Sequence, residues 1–292
     1  MILSYHPCYT GDTNRLLAGR PPDGEDLEAI RRADAVILPQ GVGRSLYEMA
    51  AANCGHVFPD YTARFAYPGK IGEIRLFRDI SAPHPCTWIF ETLSDYRQIV
   101  QAGLPEGLRL PFAFKFAWGG EGENVKRIQT TKELDEALLL AETFEQTGQS
   151  GFLLQQWIDC GNRSLRVVVI DRKLISYWRI QPDASAWSTS LSRGARIDKN
   201  TATDLQASGR KMAEKVSCRT GINLAGFDLL FPKGWNEPLL LETNYFFGRR
   251  GLGGSLSYYR ILVCEIDNWL SRKGLSRAGR SRKQRGGLHG RI

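Results

Sequence analysis

Two short apolar runs, each interrupted by one carboxylate, constrain this chain more than any other stretch: Gly226-Phe227-Asp228-Leu229-Leu230-Phe231 and Leu239-Leu240-Leu241-Glu242-Thr243-Asn244. Between them lies Pro232-Lys233-Gly234-Trp235-Asn236-Glu237-Pro238, a cluster of turn formers, so the runs read as the arms of a β-hairpin. With the fold-back centred near Trp235, Asp228 and Glu242 lie equally far from it along the two arms. They then project from one face as cross-strand neighbours, about 4.5–5.5 Å apart. Two carboxylates so placed among Phe and Leu repel each other unless a cation sits between them or one keeps its proton. Asn244, two residues on, shares the face and adds a third oxygen. Oxygen donors of this kind suit Mg²⁺ or Mn²⁺, and Mg²⁺ commonly arrives with phosphates. The same acids also read as solvated strand residues or ion-pair partners, and a slip of one residue would send them to opposite faces. A phosphate site elsewhere in the chain is what separates these readings.

The 292 residues are enough for a sizeable core and one to three domains, with charged and hydrophobic fractions ordinary for a soluble globular protein. No apolar run approaches the roughly 20 residues that span a bilayer, and Met1-Ile2-Leu3-Ser4-Tyr5-His6 reads as a first strand rather than a signal peptide. Cys8, Cys54, Cys86, Cys160, Cys218 and Cys264 are scattered without a C-x-x-C pair, which fits reduced thiols and a cytoplasmic location. Without H-E-x-x-H or clustered histidines, zinc hydrolysis is disfavoured. The net charge of +8 belongs to the last 22 residues, 271–292, where eight Lys or Arg stand with no Asp or Glu. Without them the chain has 31 basic residues against 31 acidic. This basic tail reads as disordered, either touching nucleic acid through phosphates or merely solubilising.

Residues 1–68 alternate short strands (2–5, 35–38, 56–61) with helical stretches (26–32, 45–54), a small α/β unit. Ile71, Ile74, Phe77 and Ile80 recur at helical spacing over 70–81, and a strand follows at 86–90. In 110–117, Phe112, Phe114 and Phe116 share one strand face while Ala113, Lys115 and Ala117 share the other. Gly119-Gly120-Glu121-Gly122 then leads to a second strand, and Thr130-x-x-Glu133 predicts a capped helix over 131–147. Strands are expected at 152–158, 164–170 and 173–180, and Thr203-x-x-Gln206 predicts a capped helix ending at Gly221. A last helix is expected over 256–270.

Lys115, four residues before the glycine loop, supplies a point charge where backbone N–H groups can approach phosphates. The loop is neither a Walker A motif nor a dinucleotide fingerprint, and a glycine loop between strands is by itself more often just a hairpin turn. Arg166 shares a strand face with Val168 and Ile170, so it needs an anion, from a side chain or a ligand. Arg249 and Arg250 just past the acidic hairpin either grip a substrate carboxylate or stand solvated.

The order of these parts resembles the ATP-grasp superfamily: helical Lys70, strand Lys115, the glycine loop, a helix, Gln155-Gln156-Trp157-Ile158, an arginine-bearing hairpin, then Asp228 and Glu242-x-Asn244. Within it the chain is most similar to the ligases that add glutamate to ribosomal protein tails, and more distantly to glutathione synthetase and D-alanine–D-alanine ligase. The resemblance covers about residues 1–265. It implies an α+β (α/β) fold: a small α/β domain (1–68), a central subdomain with the glycine loop (69–148) and a C-terminal subdomain with the metal site (149–270), the latter two clasping ATP, then the tail (271–292). It also implies that Lys70, Lys115, Gly119, Gly120 and Gly122 hold the nucleotide phosphates, and that Gln156, Trp157 and Ile158 form the hinge along the adenine. Asp228, Glu242 and Asn244 would ligate Mg²⁺ (or Mn²⁺), with Arg166 and Arg193 as catalytic arginines. Ser164 stands where the family has an acid for the ribose, Gln156 where it often has Glu, and Ser192 and Ala195 replace a histidine and a glycine near the acceptor site. The implied activity is an ADP-forming ligase that joins a small-molecule or peptide carboxylate to an amine or thiol through an acyl phosphate. Alternatives are a phosphotransferase acting on a hydroxyl and a non-catalytic nucleotide- or RNA-binding module.

Overall fold

The computed structural model describes residues 1–100, 104–118 and 124–275. In chain order these form β1 (Ile2–Ser4), β2 (Thr13–Asn14), α1 (Gly24–Arg31), β3 (Ala35–Ile37), α2 (Arg44–Asn53), β4 (Val57–Phe58), α3 (Thr62–Ala66), α4 (Gly69–Asp79), β5 (Thr87–Phe90) and α5 (Leu93–Ile99). Next come β6 (Phe112–Phe116), β7 (Val125–Ile128), α6 (Thr131–Gln146), β8 (Phe152–Gln156), β9 (Arg163–Ile170), β10 (Lys173–Ile180) and β11 (Arg196–Asp198). The described chain closes with α7 (Thr203–Thr220), β12 (Leu224–Leu230), β13 (Leu239–Asn244) and α8 (Gly254–Arg272). Helices and three sheets make an α+β architecture. Gly119, Gly120 and Gly122 of the glycine loop, and residues 276–292 of the basic tail, lie outside the described residues.

The chain divides into two compact units. The first holds Met1–Pro59, Ile170–Arg172 and the chain from Leu252 on. Its parallel sheet has the order β2-β1-β3-β4. Ala35, Val36 and Ile37 of β3 are fully buried, as a central parallel strand requires. Asp23 and Asp26 close a capping box on α1, and Trp269 of α8 packs on Phe58 with centroids 5.6 Å apart. The expected strand at 56–61 shrinks to β4, and the chain bends directly into α3.

The second unit, Asp60–Val169 with Lys173–Gly251, carries two sheets. The antiparallel sheet β5-β8-β6-β7 buries Phe112, Phe114 and Phe116 against Leu134, Ala137 and Ala141 of α6. Phe114 stacks on Phe152 at 4.8 Å, and Thr130 caps α6 with Glu133 as the spacing predicts. The alternation on β6 therefore sends Lys115 to the opposite face. The second sheet has the order β11-β10-β9-β12-β13, with Leu165, Val167, Val169, Phe227, Leu229 and Leu240 in one core with Ala213 and Val216 of α7. Here Ser164, Arg166 and Asp228 fall on the alternate positions.

Two helix starts differ from expectation. The helix α5, which no apolar period announces, opens with a Thr92–Asp95 capping box. Conversely, the Thr203-x-x-Gln206 box does not form, because Ala202 is the N-cap and Gln206 is buried. The Gln206 amide instead donates to the carbonyls of Lys199 and Thr201 and accepts from Ser176 Oγ. A buried amide that satisfies three partners outcompetes one reaching back over its own turn. The predicted stop at Gly221 is present, with φ of 77° at the C-cap.

Candidate active site

A cavity of about 530 Å³ opens within the second unit, in the range of small-molecule sites. The sheet of β6 contributes Ala113 and Lys115, with Val125 from β7. The end of β8 contributes Gln156, followed by Trp157 and Ile158. The other sheet supplies Arg166 from β9, Tyr177 and Arg179 from β10, Asp228 from β12, and Glu242 and Asn244 from β13. Eight of the residues that the resemblance assigns to nucleotide, metal or catalysis thus share one cavity although they come from five strands and a connecting segment. Lys70 does not line it, yet its Nζ donates to the Trp118 carbonyl at 3.2 Å and its charge interacts with Glu242. Arg193 is not brought in either. It is exposed, in the 3₁₀ turn Leu191–Arg193, with its guanidinium carbon 5.8 Å from the Trp187 ring centre. Its neighbours Ser188 to Ser192 do line the cavity, as do Arg249 and Arg250.

The hairpin has the register the turn implies: Asp228 pairs with Glu242, and Gly226 with Asn244. A bulge follows, because Leu229 pairs with Leu240 and leaves Leu241 as the extra residue. That residue lets Leu240 enter the core while both Leu241 and Glu242 reach the cavity. Gly226 is required by close approach, since a Cβ there would lie 3.0 Å from Arg166 Cδ.

Asp228, only 3% exposed, is the electrostatic hub. Arg166 grips it bidentately, Nε on Oδ1 and a terminal N–H on Oδ2 at 2.7 Å. Arg179 reaches Oδ2 at 2.8 Å, and the Asn244 amide donates to the same oxygen at 3.2 Å. The anion that Arg166 needs is therefore a side chain. Burial opposes the Asp228 charge, but Arg166 and Arg179 outweigh it and hold the carboxyl below its ordinary range. Burial likewise opposes the charge of Arg166, and Asp228 reverses that, raising its pKa.

Several participants carry little sequence signal. Arg179 alternates with Trp178 on a strand that looks amphipathic either way. Ser164 is fully buried and bonded to Arg179 and Thr189 rather than lining the cavity, so no ribose contact arises there. Glu73, three residues after Lys70 on α4, accepts a hydrogen bond from the backbone N–H of Thr243, between Glu242 and Asn244. Burial, and then the nearby Glu242 charge, push the Glu73 carboxyl up to about 8. Burial lowers the pKa of Lys70 and of Lys115 against the pull of Glu242 and Glu73. The Lys70-x-x-Glu73 spacing was the one signal that could have exposed this group.

The oxygen donors fit a hard divalent cation. Among the described residues the Glu242 carboxylate makes no hydrogen bond, the Asn244 side-chain oxygen is likewise uncommitted, and Asp228 Oδ1 accepts from Arg166 alone. No helix among the described residues is long and apolar enough to cross a membrane.

Comparison with solved structures shows the same fold elsewhere. The chain superposes on a RimK domain ATP-grasp protein from Sphaerobacter thermophilus with a TM-score of 0.58 and 15% identity, over 90% of this chain and 98% of that one. D-alanyl-alanine synthetase A from Vibrio cholerae gives a TM-score of 0.58 at 18% identity, over 80% and 76% of the two chains. N5-carboxyaminoimidazole synthetase from Staphylococcus aureus, complexed with ADP, gives 0.59 at 12% identity, over 85% and 64%. No curated protein sequence matches. The family model described as a RimK-like ATP-grasp domain matches residues 78–254, more than half of the chain, from the end of α4 through β13. This protein belongs to the RimK-like ATP-grasp family.

Proposed function

We propose that this protein is an ATP-dependent ligase that activates a carboxylate as an acyl phosphate and transfers the acyl group to an amine or thiol. The observation that carries the reading is the charge of the cavity wall. Among the described residues that line it, Lys115, Arg166, Arg179, Arg249 and Arg250 stand against Asp228 and Glu242, three more cationic than anionic side chains. A low-dielectric cavity with that excess favours a polyanion, and a nucleoside triphosphate with one divalent cation carries about two net negative charges.

In this reading Lys70 and Lys115 hold the phosphates, with the loop of Gly119, Gly120 and Gly122 supplying backbone donors, and the 156–158 segment lies along the adenine. A divalent cation on Asp228, Glu242 and Asn244 would neutralise phosphate oxygens when bound. The substrate carboxylate oxygen bonds to the γ-phosphorus as the bond to ADP breaks. The amine or thiol then bonds to the acyl carbon, inorganic phosphate leaves, and the nucleophile gives up its proton. Arg166, fixed by two bonds to Asp228, is preorganised for the charge that develops on the transferring group, and such a group contributes about 10²–10³ in turnover. Arg193, at the rim against Trp187, comes into play only if the 183–195 segment brings it inward. No protein nucleophile is needed; catalysis rests on position and charge.

Calorimetry with ADP and Mg²⁺, followed by an ADP-release screen over amino acids and small peptides with mass spectrometry of products, tests the reading. Amide or thioester product supports it. A phosphorylated hydroxyl would make the protein a phosphotransferase, and an absence of nucleotide binding would sink both.

A further inference from the structure

Arg179 joins two parts of the cavity wall that are far apart in sequence. One terminal N–H lies 2.8 Å from Asp228 Oδ2, and the Nε and a terminal N–H donate to Ser164 Oγ at 3.2 and 2.9 Å. Ser164 Oγ is also 2.7 Å from Thr189 Oγ1. A hydroxyl has one hydrogen and two lone pairs. With two N–H groups of Arg179 on its oxygen, and with Ser164 fully buried and offered no other acceptor among the described residues, the arrangement that satisfies every group sends the hydrogen of Ser164 to Thr189. The direction of the whole line follows: Asp228 orients Arg179, Arg179 orients Ser164, and Ser164 donates to Thr189. Thr189 therefore keeps its own hydrogen, and among the described residues it has no acceptor for it, while it lines the cavity between Ser188 and Ser190. The loop is also held from below, where buried Gln181 donates to the carbonyls of Ser188 and Arg193 at 2.9 and 3.0 Å.

We propose that Arg179 is a positioning residue that ties the orientation of Asp228 to the hydroxyl loop 188–192 through Ser164, so that Thr189 presents a hydrogen-bond donor to an acceptor oxygen in the cavity. The link itself is independent of the ligase reading; what rests on that reading is that nucleotide and cation arriving at Asp228 are felt at the loop. Ser164, standing where a ribose contact was expected, is the joint of this device.

Hydrogen exchange of the peptide spanning 183–195 in the full chain tests both halves. Without ligand, Ser164→Ala should raise exchange of that peptide about fivefold to tenfold, the loss of the one Ser164–Thr189 bond that ties the loop. Thr189→Val should act by the same factor, and the double variant should be no worse for the loop than either single one, since each removes the same Ser164–Thr189 bond. In wild type, ADP with Mg²⁺ should change exchange of the loop, and in Ser164→Ala it should not. The proposal is overturned by unchanged exchange in Ser164→Ala, by additive effects in the double variant, or by an equal response to ADP in both proteins. If wild type binds no ADP, the ligase reading fails instead, and the ligand-free comparison still decides the link.

Discussion

Replacing Asp228 by Asn separates what the hub does for the fold from what Glu242 does for the site. The substitution keeps the shape and one acceptor oxygen but removes the charge that serves two buried guanidiniums, whose side chains are only 9% and 12% exposed. Removing one partner of a buried ion pair costs about 3–5 kcal/mol, mostly the penalty of the orphaned charge. Arg179 retains Ser164, and one oxygen still accepts, so the lower part of that range applies, about 3 kcal/mol. Against a total stability of about 5–15 kcal/mol this is a large loss. Urea unfolding at pH 7, followed by tryptophan fluorescence, reads it as a fall in midpoint at constant slope. Glu242→Gln is the counterpart. The half-buried Glu242 carboxylate makes no hydrogen bond among the described residues, and once its charge is removed the neighbouring Glu73, whose carboxyl it helps to push up to about 8, is freer to ionise and take over the attraction to Lys70 and Lys115. It should cost under about 1 kcal/mol while weakening binding of ADP in the presence of Mg²⁺. If Asp228→Asn loses less than about 1 kcal/mol, or if Glu242→Gln is the more destabilised of the two, the assignment of Asp228 as the hub is wrong.

Two further outcomes follow from other parts of the molecule. A Cβ at Gly251 would sit 2.1 Å from Cζ of buried Tyr177, so Gly251→Ala should cost about 1–3 kcal/mol by overpacking and push Tyr177 from the cavity wall; an unchanged thermal midpoint would contradict this. In the first unit, burial opposes the Asp26 charge, but bonds from Arg20, Tyr5 and the Asp23 amide prevail and hold its carboxyl at about 2. A depressed carboxylate stabilises above the unfolded value near 3.9, and that contribution is lost as pH falls through the folded one. Allowing for screening at the partly exposed Arg15 and Arg20, about 1–2 kcal/mol should disappear between about pH 4 and pH 2. Asp26→Asn should lack that slope in denaturation profiles, and a parallel profile would refute the account.

What was legible in the sequence is what local chemistry determines. The turn formers around Trp235 imply the Asp228–Glu242 register, the Phe alternation on β6 implies that Lys115 faces away from the core, and Thr130 with Glu133 implies the start of α6. The bulge escaped because a lone extra leucine among three leucines changes no local pattern. Thr203-x-x-Gln206 misled for a related reason. The motif counts only partners inside its own turn, whereas Gln206 finds Ser176 on β10, thirty residues away.

The charged groups show the limit most clearly. Alternation on β9 says that Arg166 is buried and needs an anion, but not whether a ligand or a side chain provides it. Its partner is 62 residues on, and nothing between them marks the pairing. Arg179, Ser164 and Thr189 are a strand arginine and two hydroxyls, each unremarkable alone, that acquire a direction only when two strands and a loop bring them together. Hydrogen-bond counting then does what spacing cannot. Ser164, fully buried, accepts two N–H groups of Arg179 and is offered no acceptor but Thr189 among the described residues, so its one hydrogen has a single destination. A site built from long-range pairings is thus decided by valence in the folded molecule, and the same count identifies Thr189 as the hydroxyl whose hydrogen is left for the cavity.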